Sequence, residues 1–255
     1  PASRADRLLT EALSRLPNAV PDRLRVRFVE TQARIKESLG QLDVAVALHQ
    51  QSVSLADRVG EPWLRAETRG NLAYALVLAK QAQRALDINR EGLAIARQAG
   101  DLLAESESLT VEGIVTGVLG LTDAELQSSR DAIDRAHRAG AKRQEVQALA
   151  NLADFYLKRE DYATALRLSL EALPLAREVK NLSSESVALA NAGLASIALG
   201  RHEEGKALVK QSMVLEESAG SLTEQLGIQE ELGLMLEKVG LLGEAWAVLS
   251  EHRRL

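Results

Sequence analysis

Turn-forming residues divide the apolar sequence of this chain into segments of equal length, with a period of 40 residues split in half. Glycine dominates these positions, and charged residues fill the few others. One set is Gly60, Gly100, Gly140, Lys180 and Gly220, and the other is Gly40, Lys80, Gly120, Glu160, Gly200 and Gly240. Glycine is favoured just past the last turn of a helix. Each half-period therefore predicts one helix of about 17 residues.

Small residues recur at fixed distances from these turns. Seven residues before the mid-repeat turns stand Ala33, Ala73, Gly113, Ala153, Gly193 and Gly233, and five residues after them stand Ala45, Ala85, Glu125, Ala165, Gly205 and Ala245. Small side chains let two helix backbones approach closely while larger neighbours fill the seam. The pattern therefore predicts packed pairs of helices, in which Glu125 is the exception.

The periodicity predicts a single array over residues 1–255, with thirteen helices and no strands. Residues 1–20 fit the second helix of a truncated repeat, over Ala5–Leu16. Full repeats follow near residues 21–60, 61–100, 101–140, 141–180, 181–220 and 221–255. The first residue is not Met, and we expect the chain to be an excised piece of a longer protein.

The fourth unit carries the clearest resemblance to a known family. Its matching residues are Asn151, Leu152, Ala153, Phe155, Tyr156, Asp161, Tyr162, Ala165, Ala172 and Leu173. They resemble the tetratricopeptide repeat (TPR) family. The 40-residue form is similar to the longer variant of kinesin light chain and of bacterial multidomain signalling proteins, such as diguanylate cyclases with N-terminal TPR arrays. The resemblance implies an all-α, right-handed superhelical solenoid of antiparallel helix pairs.

Composition narrows the classes of partner and of chemistry. Aromatic residues make up 3% of the chain, the net charge is −5, and cysteine is absent. Nucleic acids and anionic membranes need clustered Lys and Arg, so we expect neither as a partner. The lack of cysteine excludes disulfides and thiolate catalysis and fits a reducing, cytoplasmic location. The longest apolar runs fall short of the ~20 residues of a membrane-spanning helix.

Residues that could carry catalysis are sparse. His49, His137, His202 and His252 lack a metal-binding partner at i+3 or i+4 and are interpreted as ordinary surface or seam residues. The sequence has no glycine-rich phosphate loop and no nucleophile elbow. We therefore expect no catalytic, metal or cofactor site, and a binding module rather than an enzyme.

The resemblance implies that a protein or peptide binds in a concave groove lined by the first helix of each pair. Carried over to this sequence, the groove shows Arg27, Arg34, Tyr74, Val77, Ile114, Asp154, Leu157, Lys158, Leu194, Glu230 and Glu237. An apolar centre with charged ends suits an amphipathic helix or an extended peptide. The alternative is that aliphatic residues such as Leu78, Val118 and Ile197 are seam residues between units.

Three functions stay open at this stage. The first is the sensory or regulatory segment of a larger bacterial signalling protein, a diguanylate cyclase or a transcriptional regulator. The second is a free-standing scaffold or adaptor, with self-association as a further possibility. The third is a peptide-pheromone receptor domain.

Overall fold

The structure, a computed structural model, describes residues 20–219 and 222–252, and these residues form twelve α-helices and no strand. The helices are α1 (Asp22–Ser38), α2 (Leu42–Val59), α3 (Pro62–Leu78), α4 (Ala82–Ala99), α5 (Leu102–Val118), α6 (Thr122–Arg138), α7 (Lys142–Lys158), α8 (Tyr162–Glu178), α9 (Leu182–Ala198), α10 (His202–Ala219), α11 (Leu222–Lys238) and α12 (Leu242–His252). The predicted all-α class is confirmed. The thirteenth predicted helix, over Ala5–Leu16, lies outside the described residues.

Each helix begins 20 residues after the one before it, because a turn closes every segment at the predicted place. Seven glycines adopt the left-handed conformation just past a helix end, including Gly60 and Gly100. Lys80, Glu160 and Lys180, which fill the glycine positions of the other turns, take positive φ angles of 60°, 63° and 52°. A left-handed conformation costs a residue with a Cβ about 1 kcal/mol, so these three turns depend on packing of the helices around them.

Helix starts also follow from local chemistry. Asp101 accepts hydrogen bonds from the backbone N–H groups of Leu103 and Ala104, both at 3.1 Å. Asn181 caps α9 in the same way, and Pro62 occupies the first turn of α3, where its missing N–H costs nothing.

The chain forms two compact units, Pro1–Ala139 and Gly140–Leu255. In each unit, consecutive helices pack as antiparallel pairs, and the first helices of successive pairs pack side by side: α3 on α5 in unit 1, and α7 on α9 and α9 on α11 in unit 2. The boundary falls at the turn between the third and fourth repeats. The single continuous array over residues 1–255 stays a prediction.

Helices α9 and α10 pack closely, and two glycines face each other between them. A Cβ at Gly193 would lie 2.7 Å from the Gly205 carbonyl oxygen and 2.6 Å from Val209 Cγ2. The small residues predicted for the helix seam therefore do set the distance between these helices.

The third repeat accommodates its unusual Glu125 because the facing residue on the other helix of the pair, Gly117, is small. A Cβ at Gly117 would lie only 2.7 Å from a Glu125 carboxylate oxygen. In the second and fourth repeats the corresponding pairs are Val77 with Ala85 and Leu157 with Ala165, so the large residue has moved from one helix to the other. Helix α5 remains continuous through Gly117.

Candidate functional site

The predicted binding residues all lie on the first helices of their pairs. We call the exposed surface of α1, α3 and α5 the first-helix face of unit 1, and that of α7, α9 and α11 the first-helix face of unit 2. Arg27, Arg34, Tyr74, Val77 and Ile114 belong to unit 1, and Asp154, Leu157, Lys158, Leu194, Glu230 and Glu237 belong to unit 2.

The first-helix face of unit 1 exposes apolar side chains. Tyr74 and Leu78 lie one turn apart on α3 and are 43% and 37% exposed. Val118 holds the position of Leu78 on α5 and is 59% exposed. Val77 is half-buried against the unit 1 core, and Ile114 is also half-buried. Leu78 and Val118 therefore face solvent instead of filling a seam.

Charged groups at the α1 edge of this face are mostly paired. Arg27 donates to Glu67 of α3 at 2.6 Å, and its guanidinium lies 5.4 Å from the ring centroid of Trp63. Arg23 lies at the same distance from that ring and pairs with Glu61. Arg34 is exposed.

A buried cluster of ionisable groups lies behind α1, and sequence reasoning missed it. His49 of α2 and Glu30 of α1 are 1% and 2% exposed. His49 Nδ1 lies 3.2 Å from Glu30 Oε2, and Nε2 lies 3.0 Å from Glu37 Oε1. We expected His49 to be an ordinary surface or seam residue, and the structure places it in the seam between α1 and α2, beside two carboxylates. The sequence could have indicated that His49 is buried. It lies near the middle of an amphipathic helix, on the same side as the buried residues Ala45, Val46 and Ser52.

Protonation of His49 follows from these contacts. Burial alone would lower the pKa of His49, but the carboxylates of Glu30 and Glu37 outweigh burial and raise the pKa to about 9. His49 is therefore an imidazolium at neutral pH.

The first-helix face of unit 2 carries mainly charged groups. Lys158 pairs with Asp154 one turn before it on α7, at 2.5 Å. Lys238 of α11 reaches Glu160, in the turn after α7, at 2.6 Å, and also lies over the Tyr162 ring. The side chains of Glu230 and Glu237 are exposed.

Glu231 shows that negative charge accumulates on this face. Although part of its side chain reaches solvent, burial raises the pKa of the Glu231 carboxyl, and the negative charges of Asp154 and Glu230 raise it further. The ammonium of Lys158 acts in the opposite direction. A cationic group that binds here would meet carboxylates whose negative charge the lysines of this face neutralise only in part.

Leu194 does not belong to the exposed surface. It is 5% exposed and lies in the unit 2 core with Ile197, Leu232 and Leu236. Leu157 is half-buried at the edge of the same cluster. Ile197 is fully buried, as the seam alternative had it. Large apolar residues on α11 cover α9, so Leu194 is unavailable to a partner in this conformation.

The part of the chain that the structure describes contains no group of three His, Cys, Asp or Glu side chains arranged to hold a metal ion. None of its helices has the length and apolar character that a bilayer crossing needs.

No protein-family model matches this chain, and no curated protein does. Solved structures do match. The apo form of RapI superposes with a TM-score of 0.72 at 15% identity, covering 98% of this chain and 90% of RapI. The Rap conjugation gene regulator of the plasmid pLS20, in complex with the Phr* peptide, gives 0.71 at 15% identity, covering 99% and 68% of the two chains. A kinesin light chain with nearly identical TPR-like repeats from Podosopora anserina gives 0.57 at 17% identity, covering 79% and 98%.

These similarities, together with the helix pairs, show a TPR-type repeat fold. The identities are low, so the similarities establish the fold alone.

Proposed function

We propose that this chain is a peptide- or protein-binding TPR module and that its partner binds to the first-helix faces. The observation that carries the proposal is the exposure of Tyr74, Leu78 and Val118 on the first helices of unit 1. Apolar side chains that a repeat fold exposes along one surface favour an interaction site over a solvated face. An extended peptide or an amphipathic helix could place its own apolar side chains against this strip.

Charged residues on each face would select the charge of the group that binds there. Arg34 lies at the α1 edge in unit 1, whereas Asp154, Glu230 and Glu237 give unit 2 an acidic face. A group of like charge would be repelled by either face, so these residues add selectivity to the apolar contacts. Leu194 is left out of this set because it is buried.

We further infer a sensory or regulatory role within a larger bacterial signalling protein, of which a diguanylate cyclase or a transcriptional regulator is the example we favour. The similarity to a Rap gene regulator supports the regulatory part of this proposal. The proposal of a cyclase rests on the resemblance of the 40-residue repeat to the TPR arrays of such enzymes. A free-standing adaptor is the alternative, and a full-length gene that encodes an output domain would decide against it.

A peptide-pheromone receptor domain is the second candidate. One observation favours it: the similar Rap regulator of pLS20 was solved in complex with the Phr* peptide. Binding of short, free peptides with no requirement for a protein partner would support this candidate over an adaptor.

The binding test compares variants on the first helices of the pairs with variants on the second helices. Tyr74→Ala and Asp154→Ala change the first-helix faces, and Arg130→Ala and Lys210→Ala change exposed positions on the second helices α6 and α10. The probe is a peptide selected against the full chain from a random library, with affinity measured by calorimetry. We expect Tyr74→Ala to weaken binding by about 2 kcal/mol, which is typical of a central anchor.

The second-helix variants also test whether the partner binds to the second helices instead of the first-helix faces. Lys210 lines an apolar groove of unit 2 together with Leu189 and Val214. If Lys210→Ala weakens binding while Tyr74→Ala and Asp154→Ala do not, and all variants keep their helicity, the partner uses the second helices and the proposed surface is wrong.

A further inference from the structure

Grooves separate the second helices of unit 1 at the same place in successive repeats. The groove between α2 and α4 has a volume of about 450 Å³, and Val53, Leu72 and Ile88 are among its lining residues. The groove between α4 and α6 is larger, at about 620 Å³. We call it the α4–α6 groove and define it by Arg90, Ala94, Arg97, Leu109, Ala124 and Asp131.

An arginine occupies one end of the space between α2 and α4. Arg69 of α3 is 8% exposed, and its guanidinium donates to both carboxylate oxygens of Asp57 on α2, each at 3.0 Å. It also donates to Glu91 of α4 at 3.3 Å. One buried guanidinium therefore connects the two second helices in the second repeat.

The third repeat has lost this ion network. Forty residues further along the chain, the three positions carry Arg97, Leu109 and Asp131. A cation has replaced the carboxylate on one wall, and a leucine has replaced the central arginine. Because leucine forms no ion pairs, this end of the α4–α6 groove stays open, and all three residues line it.

The α4 wall of the open groove is cationic. Arg90 and Arg97 lie two helical turns apart, about 10 Å along α4, with Ala94 between them. Arg97 is exposed, and no described residue forms a hydrogen bond or an ion pair with its side chain. The Arg90 side chain is 58% exposed and reaches Glu112 at 3.4 Å. Both guanidinium groups can therefore receive a carboxylate from outside.

The α6 wall has the opposite charge. Asp131 is half-buried there and accepts a hydrogen bond from Gln127 at 2.9 Å. Its carboxylate repels acidic groups, so an acidic ligand is directed to the α4 wall. Ala94 and Ala124 are small and exposed on the two walls, and small residues let a second helix approach closely.

We propose that the α4–α6 groove binds an amphipathic helix of a partner protein whose acidic side chains, seven residues apart, pair with Arg90 and Arg97. Residues seven apart share one face of a helix and have the same spacing as the two arginines. The partner's small or apolar residues between them pack on Ala94 and Ala124. Its edge toward Asp131 carries no acidic residue. This surface is separate from the first-helix faces and goes beyond the proposed function.

The test is a selection for helices whose binding requires Arg97. Peptides displayed on a helical scaffold are selected on the full chain, and the pool is then depleted on Arg97→Glu. We expect the remaining clones to carry acidic residues seven apart and to bind Arg97→Glu at least about tenfold more weakly than wild type, because like charges then face each other. Arg130→Glu is the matched control, since it makes the same charge change at an exposed position of α6 outside the groove. It should leave the affinity unchanged.

A charge exchange between peptide and protein tests the pairing directly. Replacement of the two acidic residues of a selected peptide by Lys should reverse its preference, so that it binds Arg97→Glu more tightly than wild type. Circular dichroism checks that the variants keep their helicity, which we expect because the Arg97 side chain contacts no described ion-pair partner.

The position of the bound helix can be measured because the chain has no cysteine. Ala94→Cys introduces one thiol into the groove, and Ala47→Cys introduces one at an exposed position of α2 outside it. The selected peptide should slow alkylation of Ala94→Cys in proportion to the fraction of bound chain, and it should not affect Ala47→Cys.

Two results overturn the proposal. In one, no clone distinguishes Arg97→Glu from Arg130→Glu, which shows that any attraction is unspecific. In the other, Ala94→Cys stays fully reactive in the complex. If all clones recovered before depletion lose affinity in Tyr74→Ala and keep it in Arg97→Glu, the groove is not the site, and the proposed function on the first-helix face is supported.

Discussion

A protonated His49 stabilises unit 1, because its folded pKa of about 9 lies above the ordinary value of 6.5. The stabilisation is complete below pH 6.5, decreases as the pH rises from there, and is lost above pH 9. The difference in pKa corresponds to about 3 kcal/mol. We therefore predict that the gap in unfolding free energy between wild type and His49→Gln is about 3 kcal/mol larger at pH 6 than at pH 10.

The measurement is urea unfolding followed by the fluorescence of Trp63, in a Trp246→Phe background that leaves a single tryptophan. Comparison with His49→Gln at each pH removes the contribution of lysines and tyrosines that titrate in the same range. A gap that does not change with pH would show that folding leaves the pKa of His49 at its ordinary value, and a gap that is smaller at pH 6 would show that folding lowers this pKa.

Single residues also mark what the sequence could not predict. Glu30 and His49 are 19 positions apart on different helices, so their contact depends on side-chain directions that no local pattern fixes. Tyr74 and Leu194 occupy the same repeat position, yet Tyr74 is exposed and Leu194 is buried. The difference arises because Leu232 and Leu236 of the next repeat cover Leu194. Repeat position predicts the helix and its face, whereas burial depends on the neighbouring repeat's side chains.

Helix boundaries were predictable because their causes are local. Every described helix begins within one residue of the start that the turn grid and the caps predict, and three charged residues adopt the left-handed conformation that glycine has elsewhere. The pairing of a small Gly117 with a large Glu125 was not predicted, because such a prediction requires knowing which residues of the two helices are in contact.

Close helix packing in the fifth repeat leads to a prediction about glycine. Gly193→Ala would place a Cβ against the backbone of α10, and we expect a loss of about 3 kcal/mol in unfolding free energy, the upper range for overpacking. Gly227→Ala is the matched control in α11, because a Cβ there meets nothing within 4 Å. It should stabilise the helix by up to about 1 kcal/mol. Urea unfolding monitored by circular dichroism would measure both, and a neutral Gly193→Ala would mean that α9 and α10 can separate at little cost.

The third repeat should be less protected than the fourth. Gly113 and Gly117 lie within α5 and each weaken a helix by up to about 1 kcal/mol relative to Ala. Gly120 adds no such penalty, because it lies past the helix end with a φ of +72°. We predict faster amide hydrogen exchange in residues 106–126 than in residues 146–166. Equal exchange in the two segments would show that the packing of Glu125 against Gly117 compensates for the glycines.

Energetic coupling along the chain should be short-ranged, because in a repeat fold a unit packs only on adjacent units. In such a chain, stability is close to a sum of repeat and interface contributions, and local opening is confined to the repeats that lose contacts.

The His49 cluster joins α1, α2 and α3, so His49→Gln removes an interaction that belongs to the first two repeats. We therefore predict faster amide exchange in residues 22–99 of His49→Gln and unchanged exchange in residues 182–219. Mass spectrometry of peptic fragments at pH 7 resolves these segments, and Gly193→Ala is the reciprocal control, which should accelerate residues 182–219 and spare residues 22–99. Uniform acceleration along the chain in both variants would contradict nearest-neighbour coupling and show that the repeats open together as one cooperative unit.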